Sequence, residues 1–329
     1  MKNMPLQHSI TIVTVTYGNR WELVRQLLAY ALMTQKVSDI VLVNNGSAYD
    51  LRAKINSEFG DRKLHLLDSA SNKGSAWGFK VGIAKALNLN ANYMLLLDDD
   101  NVPEPGCIDN LLAAIGDYPE FSAIAAHRPS ITRQTLALQG IERICVKSNS
   151  FAGFDFTEFF PRLLRKIRQL KKTEYALKKD ALIEVAPYGG FFASKSVIKR
   201  MGFPNEDYYL YGDDNDFTYR LTKMGGGIWL RSDCLVKDVD QSWGTQDYVH
   251  HYFILDAPEF RLRGTVENIA RFEVQQGFGG IRYLINGSLF LAIHTLKSIA
   301  HYRSVCPVIA RNVILLRYIR EGRAKGRFT

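Results

Sequence analysis

The sequence predicts an α/β protein, a mostly parallel sheet flanked by helices, followed by a helical C-terminal extension. Three observations carry this reading. Short runs of aliphatic and β-branched residues alternate with segments of helical spacing from Ser9 to Leu230. One of those runs, Tyr93–Leu97, ends abruptly in three carboxylates, Asp98, Asp99 and Asp100. From about Gly244 the strand–helix rhythm stops, and Ile281–Ile319 reads as two helices broken near Pro307, with basic residues along their faces. The expected division is therefore residues 1–245 and residues 246–329.

Ser9–Thr16 is rich in Ile, Val and Thr and reads as a buried strand. Asn19–Met33 follows with Leu23, Leu27, Leu28 and Leu32 at helical spacing. Asp39–Val43 is a second strand, closed by the turn signal Asn44-Asn45-Gly46-Ser47. Tyr49–Phe59 reads as a helix, Lys63–Leu67 as a strand, and Ala76–Leu89 as a helix after a glycine-bearing loop. Tyr93–Leu97 is the fourth strand. Further on, helices are expected at Ile108–Ile115, Pro161–Lys179, Lys195–Met201 and Asp216–Met224, and strands at Ser122–Ala126 and Gly227–Leu230. Val185–Ala193 returns to the core, and Gln134–Phe160, rich in aromatics, has no clear period. Strands that alternate with helices pair in parallel through right-handed crossovers, and ligands bind beyond their C-terminal ends. Thr16, Asn44 and Asp98 all fall at such ends, so one crevice can collect them.

The chain has 329 residues, 47% of them hydrophobic, enough for a large core with an appendage. Its four cysteines are far apart, which argues against a structural zinc site and suits a reducing compartment. No apolar run has the length of a signal peptide or a membrane span. A cytoplasmic protein, at the inner face of the cell membrane, is expected. The net charge of +9 is uneven: Glu259–Thr329 holds 12 Lys and Arg against 4 acids, and Pro161–Asp180 holds 8 against 2. A basic tail on a mildly acidic body suits an anionic membrane surface or an anionic substrate. No aromatic–basic stacking pattern accompanies the charge, so nucleic acid is not the expected partner.

Three adjacent acids at the end of an apolar strand repel one another and resist burial unless a cation neutralises them. Backbone alternation puts Asp98 and Asp100 on one side, where they can share a hard ion, Mg²⁺ or Mn²⁺, that takes its other oxygens from a substrate diphosphate. A solvated acidic turn is the plainer alternative. A second acidic segment, Asp213-Asp214-Asn215-Asp216, stands before a helix. Acids there favour a helix start, and one of them can also serve as a general base. Gly74 and Gly78 permit either close approach of a ligand or tight helix–strand packing.

Four motifs in order resemble the inverting nucleotide-sugar glycosyltransferases of family 2, whose fold is GT-A. They are Val13-Thr14-Val15-Thr16-Tyr17-Gly18-Asn19-Arg20, Val43-Asn44-Asn45-Gly46-Ser47, the stretch Asn72-Lys73-Gly74-Ser75-Ala76-Trp77-Gly78-Phe79 with Gly82, and the Asp98–Asp100 cluster followed by Pro103. Tyr211-Gly212-Asp213-Asp214-Asn215-Asp216-Phe217 with Arg220 is similar to the family's segment in which the second acid is the catalytic base, here Asp214, with Asp213 beside it. The resemblance covers roughly residues 9–243. It implies metal ligands at Asp98 and Asp100 and donor contacts at Thr16, Tyr17, Arg20, Asn44, Asn72, Gly74, Lys80 and Asp99. It places the acceptor and sugar pocket at Tyr188, Gly189, Gly190, Phe191 and Trp243.

The chain departs from the family at two places. Asn44 stands where the family often has an Asp that accepts from the nucleobase. Lys237 stands where the family has a His that contacts metal or diphosphate; it could neutralise the diphosphate directly, and Asp238, Asp240, His250 or His251 could supply a third ligand instead. The triple acid and Phe79 resemble galactofuranosyltransferases that use UDP-galactofuranose; rhamnosyltransferases using TDP-rhamnose come next. The implied acceptor is a growing lipid-linked glycan of the cell surface, of the O-antigen or lipopolysaccharide kind. The C-terminal helices are expected either to hold the enzyme at an anionic membrane or to form a homo-oligomer. A catalytically silent nucleotide-sugar-binding scaffold and a nucleotidyltransferase are the rival classes. The latter wants a glycine-rich basic loop after the first strand, which Thr16–Arg20 does not supply.

Overall fold

A computed structural model describes residues 9–60, 63–158, 175–240 and 250–327. The chain forms two compact units. The first gathers Met1–Cys145, Ala176–Tyr209 and Asp213–Ser242; the second gathers Val146–Tyr175, Leu210–Gly212 and Trp243–Thr329.

In chain order the first unit contains β1 (Ile10–Gly18), α1 (Trp21–Met33), β2 (Val37–Ser47), α2 (Leu51–Glu58), β3 (Leu64–Ser69), α3 (Ser75–Leu87), β4 (Tyr93–Asp98), β5 (Asn101–Pro103), α4 (Cys107–Ala113), β6 (Ser122–His127) and α5 (Thr132–Leu138). It continues with β7 (Asp180–Ile183), β8 (Phe191–Ser194), α6 (Lys195–Met201), α7 (Asp213–Lys223) and β9 (Gly227–Asp238). The sheet runs β3-β2-β1-β4-β8-β6-β9-β5, with β7 also on β9. The first four strands are parallel, as expected from their alternation with helices. β8 then runs antiparallel to both β4 and β6, so the sheet is mixed rather than mostly parallel. Two apolar layers cover it. Val13, Val41, Phe79, Leu96 and Phe191 lie in one, and Ile12, Leu27, Leu42, Leu97 and Phe192 in the other. Successive residues of each strand serve opposite layers, which is why the strands read as unbroken apolar runs.

Two segments of the first unit depart from the sequence reading in their bounds. β9 extends eight residues beyond Leu230, to Asp238, and carries an acid to the site. The segment read as a helix over Pro161–Lys179 lies outside the described residues up to residue 174. The end of that segment is not helical, since the Lys178 amide donates to the Leu138 carbonyl (3.0 Å) and strand β7 begins at Asp180.

The second unit is helical: α8 (Glu259–Gln275), α9 (Ile281–Tyr302) and α10 (Cys306–Arg327). The break expected near Pro307 falls at Arg303–Val305, with Pro307 in the first turn of α10, where its missing N–H costs nothing. Its core holds Phe151, Tyr252, Phe253, Leu262, Val266, Tyr283, Phe290 and Leu315. Helix α8 was not anticipated. Its buried face carries Glu267, Asn268, Arg271 and Glu273, which blunt the apolar period.

Candidate active site

The three acids at the end of β4 separate as alternation requires. Asp99 is buried and accepts from Thr16 Oγ1 (2.7 Å) and from Arg20 Nε (2.9 Å). Arg20 reaches on to Asp100 Oδ2 (3.2 Å) and to Asp240 Oδ2 (3.1 Å). Burial works against this guanidinium, yet its bonds to Asp99 hold it firmly charged. Asp98 turns the other way and is the most open of the three, with 40% of its side chain exposed. Asn101 is buried beneath them: its Oδ1 accepts from the Asp98 amide (3.2 Å), and its Nδ2 donates to Asp100 Oδ1 (3.2 Å) and Asp238 Oδ1 (2.7 Å).

Arg128, directly after β6, is the central cation of this crevice. Its Nε and Nη2 bind Asp238 Oδ1 at 2.8 and 2.6 Å, and its Nη1 reaches Asp98 Oδ2 at 3.5 Å. Although part of its side chain meets solvent, desolvation within the crevice pushes the Asp98 carboxyl up to about 6; Arg128 opposes that shift, while the charges of Asp99 and Asp214 reinforce it. Burial and the charge of Asp98 bring Asp100 to about 6 as well. The charge of Asp214 raises Asp98 and that of Arg128 lowers Asp214, so the β4 and α7 acids lie within electrostatic reach of one another in the same unit.

At the start of α7 the acids divide in two. Asp213 is buried and accepts from Ser75 Oγ (2.8 Å), at the N-terminus of α3. Burial and the neighbouring Asp214 charge push it up to about 7, and the Ser75 bond pulls the other way. Asp214 is half-buried, its Oδ1 accepting from the Asn215 amide (2.7 Å); burial raises it and Arg128 opposes. The backbone just before is bent into the left-handed region at Tyr209 (φ 56°), a conformation that bulky residues rarely adopt. Gly74 (φ 88°) fits beneath it, since a Cβ there would overlap the Tyr209 carbonyl. A Cβ on Gly78 would likewise overlap Val15, so that glycine serves close packing of α3 on the sheet.

The other expected site residues fall as follows. Tyr17 is exposed at the rim, its ring 5.3 Å from the Arg20 guanidinium carbon. Asn44 Nδ2 donates to Asp68 Oδ1 (2.9 Å), and its Oδ1 accepts from the Ser47 amide. Asn72 Oδ1 accepts from the Gly74 amide (2.9 Å) and from Asn45 Nδ2 (3.1 Å), fixing the loop before α3. Gly189 packs against Asp98, Asn101 and Arg128, where any Cβ would collide. Gly190 (φ 95°) exchanges backbone bonds with Leu96 and Ala126. Trp243 lies outside the described residues.

Several expectations are corrected. Thr16 is fully buried with its hydroxyl committed to Asp99, so both hold the site together rather than face a donor. Lys80 is turned to an ion pair with Glu206 instead of a phosphate. Phe191 is fully buried against Phe217, and Tyr188 is buried with its ring stacked 4.0 Å from Phe79, so neither ring offers a face to an acceptor. Lys237 is exposed while Asp238 points inward, as alternation along β9 dictates. The Asp238 carboxylate accepts from Asn101 and Arg128 at Oδ1 and from Ser130 at Oδ2, so it serves this hydrogen-bonded network. His250 lies in the helical unit, stacked 4.3 Å from His251, and burial pushes it down to about 2. Asp213 anchors α7 to α3 and does not share the openness of Asp214.

Arg128 and Asn101 were missed. The rule that strand ends collect at the crevice, applied to Ser122–Ala126, would have flagged Arg128. Nothing local marks Asn101, whose partner Asp238 is 137 residues away.

Among the described residues no three His, Cys, Asp or Glu side chains gather as ligands. Asp98 and Asp100 do fit the mode in which Mg²⁺ or Mn²⁺ takes one or two carboxylates and completes its shell with phosphate oxygens and water.

The fold is that of the GT-A class of glycosyltransferases. The model of glycosyl transferase family 2 matches residues 11–189, more than half of the chain, and the chain belongs to that family. It is 26% identical over 188 residues to the low-salt glycan biosynthesis hexosyltransferase Agl10 of Haloferax volcanii, a match covering 57% of this chain. The chain spans about half the length of that relative (54%). Two solved structures share the fold. GalNAc-T7 with UDP, GalNAc and Mn²⁺ has a TM-score of 0.54 at 13% identity, over 82% of this chain and 48% of its own. The mannosyltransferase PcManGT of Pyrobaculum calidifontis, in complex with GDP-Man and Mn²⁺, has a TM-score of 0.51 at 14% identity, over 97% and 84%.

Proposed function

We propose that this glycosyltransferase is an inverting, metal-assisted hexosyltransferase that acts in glycan assembly. Its leading donor is UDP-galactofuranose, with TDP-rhamnose as the alternative, and its acceptor is a hydroxyl of a growing lipid-linked glycan. The reading is supported by the electrostatic reach between Asp98, Arg128 and Asp214 in one unit. On this reading the acids after β4 serve the diphosphate end, and Asp214, a half-buried carboxylate over a hundred residues downstream, serves the acceptor. The two structures of like fold, one with UDP, GalNAc and Mn²⁺ and one with GDP-Man and Mn²⁺, support the donor class.

Asp98 and Asp100 would hold the ion, which supplies positive charge to the leaving diphosphate. Arg20 and Arg128 keep the surrounding acids paired, and Tyr17 and Asn44 stand at the nucleotide side of the crevice. Asp214 takes the acceptor hydroxyl's proton as that oxygen bonds the anomeric carbon; the carbon–oxygen bond to the diphosphate breaks, and its electron pair leaves with the nucleoside diphosphate.

The test is a donor panel scored by thermal shift and by sugar release, with Mn²⁺ and with EDTA. Protection by UDP-galactofuranose, and release that EDTA abolishes, is the expected result; protection by TDP-rhamnose alone would move the donor, and release indifferent to EDTA would remove the metal. In Asp214→Asn, transfer should fall about 1,000-fold or more, while donor affinity stays within a few-fold. Unchanged turnover would reject Asp214 as the base.

A further inference from the structure

The helical unit presents an apolar surface that its own core does not use. On α9, Ile281, Ile285, Leu289 and Leu296 recur at helical spacing on the exposed side, with Ile281 79% and Leu296 68% exposed. On α10, Ile309, Val313 and Leu316 do the same, with Val313 64% exposed. The opposite sides of both helices, through Tyr283, Phe290, Leu315 and Tyr318, already fill the core. Soluble domains rarely leave so many large aliphatic side chains in water on consecutive helices, and such a surface marks an interface.

Charge selects the partner. From Ile281 to Arg327 the chain has nine Lys and Arg and a single acid, Glu321. Glu321 is already paired with Arg317 and Arg263. Lys297 and Arg303 flank the apolar residues at one end, and Arg320 and Arg327 continue the exposed side of α10 at the other. No helix among the described residues is long and apolar enough to cross a membrane. Helices that are apolar on one side, basic at the margins and too polar to span lie in the plane of an anionic bilayer.

We infer that the exposed sides of α9 and α10 form a docking surface for an anionic lipid bilayer, with the aliphatic residues entering the headgroup boundary. This deepens the proposed function by bringing the enzyme to the surface that carries a lipid-linked acceptor, and it rests on that reading only for its purpose.

The experiment is sedimentation of the full chain with vesicles of phosphatidylcholine alone or mixed with phosphatidylglycerol, alongside sugar release from the donor in solution. Wild type should pellet with the mixed vesicles and stay in the supernatant with phosphatidylcholine, and added salt should weaken the binding. Leu289→Glu and Val313→Glu should each reduce binding about tenfold or more. Their circular dichroism, Tm and sugar release should stay unchanged. Arg320→Glu should weaken binding to the mixed vesicles only. Absence of vesicle binding by a folded wild type, or binding indifferent to all three substitutions, would overturn the inference. So would a dimer by light scattering that Leu289→Glu dissociates without any vesicle binding, which would assign the surface to a second copy. Sugar release reports on the enzymatic reading separately, so either can fail without the other.

Discussion

Ser75 shows how one hydroxyl tunes the site. It donates to Asp213, whose pKa is already raised by burial and by Asp214, and the bond favours the charged form. A base works only when ionised, so kcat/KM should rise with pH and level off above the pair's upper pKa, near 7. Ser75→Ala removes a stabiliser of the carboxylate and should move that rising limb to higher pH by about half a unit to one unit. A limb that stays in place would separate Asp213 from the titration. At this scale the sequence was legible where chemistry is local. The Asp98–Asp100 run and Asp214 announced themselves by charge at the end of an apolar run or at a helix start. Asp99 and Thr16 were read as ligand-facing because burial is not written in a motif. Arg128 and Asp238 meet only through the fold, 110 residues apart, and no local spacing encodes their pairing.

Among the elements, the parallel β1–β4 half was legible because β1, β2 and β4 are largely buried and its helices amphipathic. The antiparallel β7 and β8 have only four residues each, too few for a period to declare itself. Helix α8 hid for the opposite reason, since polar residues occupy its buried side. That side meets α10 at very short range: a Cβ on Gly322 would overlap the Glu267 carbonyl, and one on Gly326 would crowd the Arg271 carbonyl. Gly322→Ala gains helix propensity, yet it forces the two backbones apart. A net loss of about 1–3 kcal/mol is expected, read as a lower Tm and denaturant midpoint. Equal or greater stability would mean that α8 and α10 do not approach so closely. Ser288→Ala, at an exposed helical position, should be nearly neutral.

For the whole molecule, pH enters folding through groups buried at a cost. Glu273 in the helical unit accepts from the Ala152 amide (2.7 Å), and burial pushes its pKa up to about 8 from 4.5. Its folded value lies above its unfolded one, so its contribution to stability is fully present below about pH 4.5 and is lost as pH rises through about 8. Glu273→Gln keeps an acceptor for Ala152 without the titration. The variant should flatten the fall of stability across that window, by at most about 1.4 kcal/mol per pH unit, in unfolding curves taken from pH 5 to 8.5. Parallel curves for the two proteins would show that Glu273 does not titrate there. The crevice of the first unit treats its charge differently. Arg20 and Arg128 already thread among Asp98, Asp99, Asp100, Asp238 and Asp240. An acidic bowl lined with its own guanidinium counterweights can take shape on the strength of charges that the polypeptide itself supplies.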